Sequence, residues 1–268
     1  MTKWYIGTMG FSYKDWNSVF YPKEMDARNY LAYYSRIFNC VEIDSSFYGT
    51  PRAESVRHWK AVTPEGFKFC LKTPRMITHD KALIEVEDLL TEFLEAAVLL
   101  EDRLGVILFQ FPPSFTASHL PALEHIVTNL PKGLRFAVEI RDQSWYTPKS
   151  GEETPPLAQL LKQYGVAWAA TEFPGLPGRI YPTANYLYVR WIGQHGTFQH
   201  HDRERIDRTQ NLKEWRGKVE ELLDRVEAVY GFLNNDYAGF AAGTAHRFKE
   251  IAGLPVKNIR PPQQETLF

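Results

Sequence analysis

The chain has 268 residues, of which 44% are hydrophobic and 14% aromatic, a composition that excludes a disordered protein and allows a sizeable core. Its 31 basic and 32 acidic side chains give a formal net charge of -1, so any anion binding must come from a local cluster. No stretch approaches the ~20 apolar residues of a membrane span and no apolar leader opens the chain, so we expect a cytoplasmic protein.

Strand-like and helix-like apolar patterns alternate along the chain. The patterns predict strands at 4–9, 40–50, 67–71, 105–111, 134–140, 165–170, 186–191 and 229–233. They predict helices at 28–38, 54–61, 83–100, 120–130, 157–164, 212–228 and 241–252. Residues 173–184 are rich in Pro and Gly, which indicates an irregular sixth crossover. Cys40 and Cys70 lie in strand-like runs without metal-ligand spacing and are expected to be reduced core residues.

This alternation predicts an α/β fold, a (β/α)8 TIM barrel with parallel strands and short crossovers. We expect a single barrel domain over residues 1–260 and a flexible C-terminal tail over residues 261–268. An open doubly wound sheet is the alternative, but no GxGxxG turn follows the first predicted strand.

The stretch 40–50, CVEIDSSFYGT, places acidic residues on one face of a predicted strand. Because side chains alternate in an extended chain, Glu42, Asp44 and Ser46 should share a face. Buried carboxylates need cations, metal or water as partners. Other predicted strands also end in polar groups, which in a barrel would meet at one mouth. In the strand predicted at 186–191, Tyr188 and Arg190 should share a face.

We assign roles to these strand-end residues as hypotheses. Glu42 and Glu139 are candidates for a general base, and Lys72 for electrostatic stabilisation of developing negative charge. The expected substrate-binding residues are Asp44, Gln110, Arg141, Arg190, Asn234 and Asp236. Lys72, Arg141 and Arg190 are the cations expected to pair with the acids and to hold a phosphate or carboxylate. The alternative is a structural charge network that fills the barrel mouth.

We predict no cofactor and no metal site. None of the predicted strands ends in a histidine, while His79, His195, His200 and His201 lie in loops. A magnesium ion on Glu42, Asp44, Glu139 or Asp236 is left open. Several loop aromatics could stack on sugars or bases or pack at the rim: Phe11, Tyr13, Trp16, Phe47, Tyr48, Trp145 and Tyr146.

Six motifs occur in order over nearly the whole chain: IGTMGFSYKDW, FNCVEIDSSFYGTP, FKFCLKTPRMITH, LFQFPPSF, AVEIRDQSW and FLNND. Together they resemble the YecE-like family, a family of unknown function with a TIM-barrel fold. The resemblance implies that eight residues occupy the family's motif positions: Glu42, Lys72, Gln110, Glu139, Arg141, Arg190, Asn234 and Asp236. It supplies no reaction, because one barrel fold hosts many functions.

The chain ends in PPQQETLF, in which Gln264, Leu267 and Phe268 are similar to the short peptide by which bacterial DNA polymerases and repair proteins bind the sliding clamp. Such a peptide would place its glutamine in a small polar pocket and its apolar residues in an apolar one. The alternative is that Leu267 and Phe268 pack against the barrel.

Three functions are therefore weighed. The first is an enzyme acting on a phosphate-bearing substrate, such as a phosphoester hydrolase, which the tail would link to DNA replication or repair. The second is a sugar or sugar-phosphate isomerase or epimerase. The third is a noncatalytic DNA-binding or adaptor module, which the net charge of -1 disfavours for extensive duplex binding. The expected partners are an anionic small molecule or nucleic acid and the sliding clamp, with no membrane.

Overall fold

The computed structural model describes residues 2–148 and 150–258, which form a parallel α/β fold. The strands are β1 (Lys3–Thr8), β2 (Cys40–Ile43), β3 (Lys68–Lys72), β4 (Leu104–Gln110), β5 (Phe136–Glu139), β6 (Ala167–Trp168), β7 (Ala170–Glu172), β8 (Tyr186–Trp191) and β9 (Ala228–Leu233). The helices are α1 (Tyr30–Ile37), α2 (Ala53–Val62), α3 (Glu87–Ala97), α4 (Leu120–Thr128), α5 (Pro156–Tyr164), α6 (Thr209–Glu220), α7 (Asn235–Ala238) and α8 (Ala241–Ile251).

The strands form two parallel sheets, one of order β1-β9-β8-β7 and one of order β2-β3-β4-β5-β6. A parallel bridge between Met9 and Glu42 links β1 to β2 where the two sheets meet. At the other junction β6 and β7 are separated by Ala169 alone, whose N–H donates to the carbonyl of Val138 on β5 at 2.9 Å. The predicted sixth strand is therefore present as two short pieces that belong to different sheets.

Alternate residues of each strand belong to two separate apolar cores. One core lies between strands and helices and includes Val41, Leu71 and Val189. The other is formed by strand residues on the opposite face and includes Cys40, Cys70, Leu108, Ala137 and Tyr188. Because the side-chain period of a strand is two, the residues two positions further along share this second face. The sequence thus directs polar strand ends to the same side as the second core.

Two predicted boundaries are wrong for identifiable reasons. The strand predicted at 40–50 ends at Ile43, Asp44 has helical backbone angles, and Ser45–Tyr48 is a 3-10 turn. Ser46 therefore does not continue a strand face, and its hydroxyl donates to the carbonyls of Ile43 and Lys72, both at 2.7 Å. The helix predicted from residue 83 begins at Glu87, because Ala82, Leu83 and Glu85 have positive φ values.

The helix predicted at 212–228 runs instead from Thr209 to Glu220. Its apolar pattern continues through Leu222, Leu223 and Val226, but Leu223–Arg225 is a separate 3-10 turn and the chain is extended at Val226. Periodicity alone does not distinguish a helix from a loop that buries residues at helical spacing.

Other expectations are confirmed. Residues 173–184 contain no helix, and both cysteines are buried and free. Among the described residues no helix has the length and apolar character needed to cross a membrane.

Gly7 on β1 is required by a close backbone approach. A Cβ atom added there would lie 2.2 Å from the carbonyl oxygen of Cys40 and 2.9 Å from the hydroxyl of Tyr34. That hydroxyl accepts a hydrogen bond from the backbone N–H of Thr8 at 2.9 Å and donates to the Cys40 carbonyl at 3.0 Å. The close approach of β1 and β2 thus requires glycine at position 7, because any side chain would collide with the backbone of β2.

We expect Gly7→Ala to lower the free energy of unfolding by roughly 1–3 kcal/mol or more, because the contacted atom is backbone and cannot rotate away. Urea denaturation monitored by circular dichroism measures the change. The matched control is Gly217→Ala in α6, where a Cβ atom would meet no atom within 4 Å. The control should raise stability by up to about 1 kcal/mol. A Gly7→Ala variant as stable as the native protein would contradict the close approach.

Candidate functional site

A buried arginine connects two buried glutamates at the carboxyl ends of the strands. Arg190 on β8 donates from Nη2 to Glu42 Oε1 at 2.7 Å and from Nε to Glu42 Oε2 at 3.1 Å. Its Nη1 donates to Glu139 Oε2 on β5. Glu42 and Glu139 have no solvent-exposed surface, and Arg190 is also buried. The three side chains form an ion cluster that joins strands of both sheets.

The two glutamates have opposite electrostatic surroundings. Burial raises the pKa of Glu42 to about 7, and the charge of Asp44 adds to the rise, although Arg190 opposes it. Burial also raises the pKa of Glu139, but Arg190 and Arg141 outweigh it and hold the pKa at about 2. Glu139 is therefore a permanent anion, whereas Glu42 exchanges a proton near neutral pH.

The phenol of Tyr188 completes the surroundings of Glu42. Its hydroxyl donates to Glu42 Oε2 at 2.6 Å, and Glu42 thus accepts three hydrogen bonds. Tyr188 precedes Arg190 by two positions on β8, so both side chains lie on the inner face of the sheet. Sequence parity placed Tyr188 on this face but gave no sign that its partner would be Glu42, since the two are far apart in the chain.

Lys72 is the cation of this site that has no acidic partner. It is the last residue of β3 and is 9% exposed, and no hydrogen bond or ion pair engages its ammonium group in the part of the chain that the structure describes. Its Nζ lies 3.8 Å from the centroid of the Phe47 ring. Burial and the positive charge of Arg190 lower the pKa of Lys72 to about 8.

His79 contacts the same aromatic ring of Phe47, with ring centroids 4.8 Å apart and the two rings nearly perpendicular. It belongs to a single π-helical turn, Met76–Asp80, that follows β3. Burial and the charges of Lys72, Arg141 and Arg75 lower the pKa of His79 to about 4, so the imidazole is neutral at physiological pH. Sequence analysis placed His79 in a loop and missed its position beside Lys72.

Asp44 and Arg141 form the more exposed layer of the site. The side chain of Asp44 is 35% exposed, and its Oδ1 lies 3.8 Å from Arg190 Nη2. This buried oxygen accepts no hydrogen bond from the described residues. Arg141 donates from Nε to Glu139 Oε1 at 2.8 Å and stacks its guanidinium 4.8 Å from the Phe173 ring. Its two outer nitrogens have no hydrogen-bond partner within residues 2–148 and 150–258.

Two further predicted residues make local contacts near the cluster. Gln110 is buried at the end of β4 and donates to the carbonyl of Phe111 at 2.6 Å. Asn234 donates to the sulfur of Met9 at 3.6 Å, and the same sulfur contacts Arg190 Nη2 at 3.4 Å. Gln110 and Asn234 therefore border the cluster without pairing with its carboxylates.

Asp236 anchors a second, histidine-containing cluster. Its Oδ1 lies 3.2 Å from His201 Nε2, and its Oδ2 lies 3.1 Å from Nδ1 of the exposed His195. The backbone N–H of His201 donates to Asp15 Oδ2 at 2.8 Å. Burial, followed by the charges of Asp44, Glu42 and Asp236, raises the pKa of Tyr13, whose hydroxyl donates to the Met9 carbonyl. Tyr13 thus lies between the two clusters.

Apart from Lys72, Gln110 and Asn234, the predicted site residues divide into three groups. Arg190 brings together Glu42, Asp44 and Glu139, with Arg141 attached to Glu139. Asp236 pairs with histidines instead of these arginines. Gln264, Leu267 and Phe268 lie outside the described residues. In the described chain no group of three or more His, Cys, Asp or Glu side chains is arranged to hold a metal ion.

The aromatic residues predicted in loops differ in their exposure to solvent. Trp16 and Trp145 are buried and pack in the core, as in the rim-packing alternative, whereas Tyr48 is 87% exposed beside Phe47. Phe47 and Phe173 each cover a cation of the site. Aromatic rings therefore lie beside both Lys72 and Arg141.

Comparison with known proteins relates the chain to proteins of unassigned function. It is 39% identical to UPF0759 protein YecE of Escherichia coli K12 over 136 residues, which are 51% of this chain and 49% of that protein. The chain thus matches about half the length of YecE. It is 27% identical to UPF0759 protein YunF of Bacillus subtilis over 286 aligned positions, which cover 97% of this chain and 98% of YunF.

Solved structures agree with this relationship. A DUF72 family protein from Thermotoga maritima has a TM-score of 0.77 at 30% identity, covering 94% of this chain and 99% of that chain. A DUF72 family protein from Enterococcus faecalis has a TM-score of 0.75 at 23% identity, covering 95% and 99%. The family described as "Protein of unknown function DUF72" matches residues 5–267. The chain therefore belongs to the DUF72 family, the family of the YecE-like proteins.

Proposed function

We propose that this protein is an enzyme that binds an anionic, phosphate-bearing substrate at the carboxyl ends of its strands. The observation that carries the proposal is a pair of cationic groups with unused donors. The ammonium of Lys72 and the outer nitrogens of Arg141 have no protein acceptor within the described residues, whereas Arg190 is engaged by two glutamates. Cationic donors that no protein acceptor occupies in the described chain favour an anion as their partner.

We also infer that the two sheets are the halves of one closed (β/α)8 barrel. The Met9–Glu42 bridge, reinforced by the 2.7 Å hydrogen bond from Gly10 N–H to the Glu42 carbonyl, supports closure between β1 and β2. The bond from Ala169 to Val138 supports a single sixth strand that passes from one sheet to the other. In a closed barrel the strand-end residues would line one mouth, where barrel enzymes carry their active sites.

Glu42 is the better supported of the two candidate bases. A general base works best when its pKa lies near the operating pH, as for Glu42 at about 7 and unlike Glu139 at about 2. Glu42 is buried, and Arg190 Nη2 contacts both Glu42 and the partly exposed Asp44. In the proposed mechanism the solvent-exposed part of the Asp44 carboxylate contacts the substrate, and Glu42 takes up the proton.

These groups suit two reactions of phosphate-bearing molecules. The partly exposed carboxylate of Asp44 can accept a hydrogen bond from a substrate hydroxyl or from an attacking water molecule. With a water molecule the reaction is phosphoester hydrolysis, and with a sugar phosphate it is isomerisation through proton transfer. A noncatalytic DNA-binding module remains the competing function, and absence of turnover would favour it.

We expect sulfate to bind the native protein and its affinity to fall by up to about tenfold as the pH rises through about 8, because Lys72 then loses its charge. Sulfate affinity falls with rising pH because protonated Lys72 attracts the anion and the neutral amine does not. Sulfate carries the same charge throughout this range. Isothermal titration calorimetry at several pH values measures the affinity.

Four variants separate the contributions to sulfate binding. Lys72→Arg should keep its affinity at alkaline pH, and Lys72→Met should bind weakly throughout. Arg28→Gln is the control, because Arg28 is exposed and paired with Asp26 away from the site. Equal sulfate affinity in the native protein, Lys72→Met and Arg141→Gln would contradict the proposed anion site.

We expect Glu42→Gln to lower turnover at least about 100-fold, because the amide cannot accept the proton. A panel of sugar phosphates and nucleotide-derived phosphoesters, monitored by phosphorus NMR, would identify the substrate and measure the loss. The variant should retain sulfate binding, which shows that the site is intact. Turnover by Glu42→Gln at the native rate would remove Glu42 from the reaction.

The tail supports a separate proposal about a partner. We propose that Gln264, Leu267 and Phe268 bind the DNA sliding clamp and link the enzyme to replication or repair. Support comes from the sequence alone, since the three residues combine a hydrogen-bonding glutamine with two apolar anchors at the end of the chain.

We expect the immobilised sliding clamp to retain the full chain but not a chain lacking the last five residues, because deletion removes all three anchors. A pull-down with purified proteins measures retention. Glu265→Ala serves as the control, since it changes the tail between the anchors and should leave binding intact. Equal retention of the full and shortened chains would rule out the clamp peptide.

A further inference from the structure

The amino group of Lys72 differs from the other side-chain amines for which the structure gives contacts. Most of these amines are occupied at the surface: Lys218 donates to the carbonyl of Gly178 at 2.9 Å, and Lys60 pairs with Glu101 at 2.5 Å. Lys72 is buried and rests on an aromatic ring, without a hydrogen-bond acceptor among the described residues. Its nitrogen lone pair, once free of a proton, is not committed to any protein group.

The surroundings of Lys72 favour the free amine. Burial of the side chain removes water that would stabilise the ammonium form, and the charge of Arg190 repels it. The charges of Asp44, Glu139 and Glu42 oppose this lowering of the pKa without cancelling it. With a pKa of about 8, about one molecule in ten carries the neutral amine at pH ~7. Apolar desolvation and a neighbouring cation are the two conditions under which lysine amines become nucleophiles in enzymes.

A carbonyl substrate fits the groups around this amine. The outer nitrogens of Arg141, which have no hydrogen-bond partner among the described residues, bind the anionic group of the substrate, and the partly exposed carboxylate of Asp44 accepts a hydrogen bond from a hydroxyl group. The neutral imidazole of His79 lies on the same aromatic ring as Lys72 and can donate or accept one hydrogen bond. The site therefore has separate groups for an anion, a hydroxyl and a reacting carbonyl.

We propose that Lys72 is a nucleophile that forms an imine with the carbonyl group of an anionic aldehyde or ketone substrate. This inference rests on the proposed function and narrows its substrate class to phosphate-bearing carbonyl compounds. The Nζ lone pair forms a bond to the carbonyl carbon, and the carbonyl oxygen takes up a proton to give a carbinolamine. The carbon–oxygen bond then breaks, the oxygen leaves as water with a second proton, and the nitrogen releases the two protons of the amine. No oxidant or reductant is needed.

Borohydride trapping tests this step. The full chain is incubated with glycolaldehyde phosphate and sodium borohydride, which reduces an imine to a stable secondary amine by hydride transfer to carbon. Peptide mass mapping then locates the label. We expect labelling of Lys72 to exceed that of Lys218 by at least about tenfold at pH ~7, because Lys72 carries more free amine than an ordinary lysine. Lys218 is a matched internal reference, since its Nζ also lies over an aromatic ring, 4.6 Å from the Trp215 centroid.

Further experiments distinguish reaction at a specific binding site from the general reactivity of lysine amines. Lys72→Arg should lose the dominant label while Lys218→Arg keeps it. Excess sulfate should protect Lys72 in the native protein, a test that does not depend on the folding of a variant. Glycolaldehyde, which lacks the phosphate, should label Lys72 less than glycolaldehyde phosphate does.

The outcomes distinguish this inference from the proposed function. Labelling of Lys72 no stronger than that of Lys218, in a protein that still binds sulfate, overturns the nucleophile and leaves the anion site in place. Labelling of Lys72 no stronger than that of Lys218, together with no measurable sulfate binding, overturns both.

Discussion

The guanidinium of Arg190 is the constraint on which the rest of the site depends. It is buried on β8 and is held by Glu42 from β2 and Glu139 from β5, so one side chain joins three strands of two sheets. A buried ion of this kind is tolerated only when nearly all of its hydrogen-bonding capacity is used, and loss of one partner typically destabilises a protein by roughly 3–5 kcal/mol. The positions of the neighbouring polar side chains follow from this requirement. Arg141 attaches to the outer oxygen of Glu139, and Asp44 lies against the remaining side of Arg190.

Side-chain alternation made much of the fold predictable, because a period of two identifies both a strand and its inner face. β8 occurs with its predicted bounds, 186–191, and the shared face of Tyr188 and Arg190 is as expected. The ends of elements were less predictable. Asp44 continues the alternating pattern but adopts helical backbone angles, and Leu83 and Val86 are buried at helical spacing within a loop. Periodicity records which residues are buried, whereas the end of an element depends on backbone geometry that tertiary contacts impose.

The charges of the site were predictable by residue type and face, but their states were not. Glu42 and Glu139 have the same chemistry and the same strand parity, yet one contacts a single arginine and the other contacts two. That difference, which reverses the direction of their pKa shifts, exists only in three dimensions. The pairing of His201 with Asp236 is similar, because an irregular loop carries the histidine and no local pattern relates the two residues. The sequence motifs predicted where charged side chains lie. Their protonation depends on contacts that only the folded structure reveals.

The raised pKa of Glu42 and the lowered pKa of Lys72 make the stability of the native state depend on pH. The pKa of Glu42 is raised, so its contribution to stability is present at acid pH and is lost as the pH rises from about 4.5 to about 7. The pKa of Lys72 is lowered, so its ammonium destabilises the fold below about 8 and ceases to do so as the pH rises towards 10.5. Both unfavourable charges coexist only in the neutral interval between these values. A bound anion beside Lys72 would therefore offset part of the unfavourable electrostatic energy of its buried ammonium group.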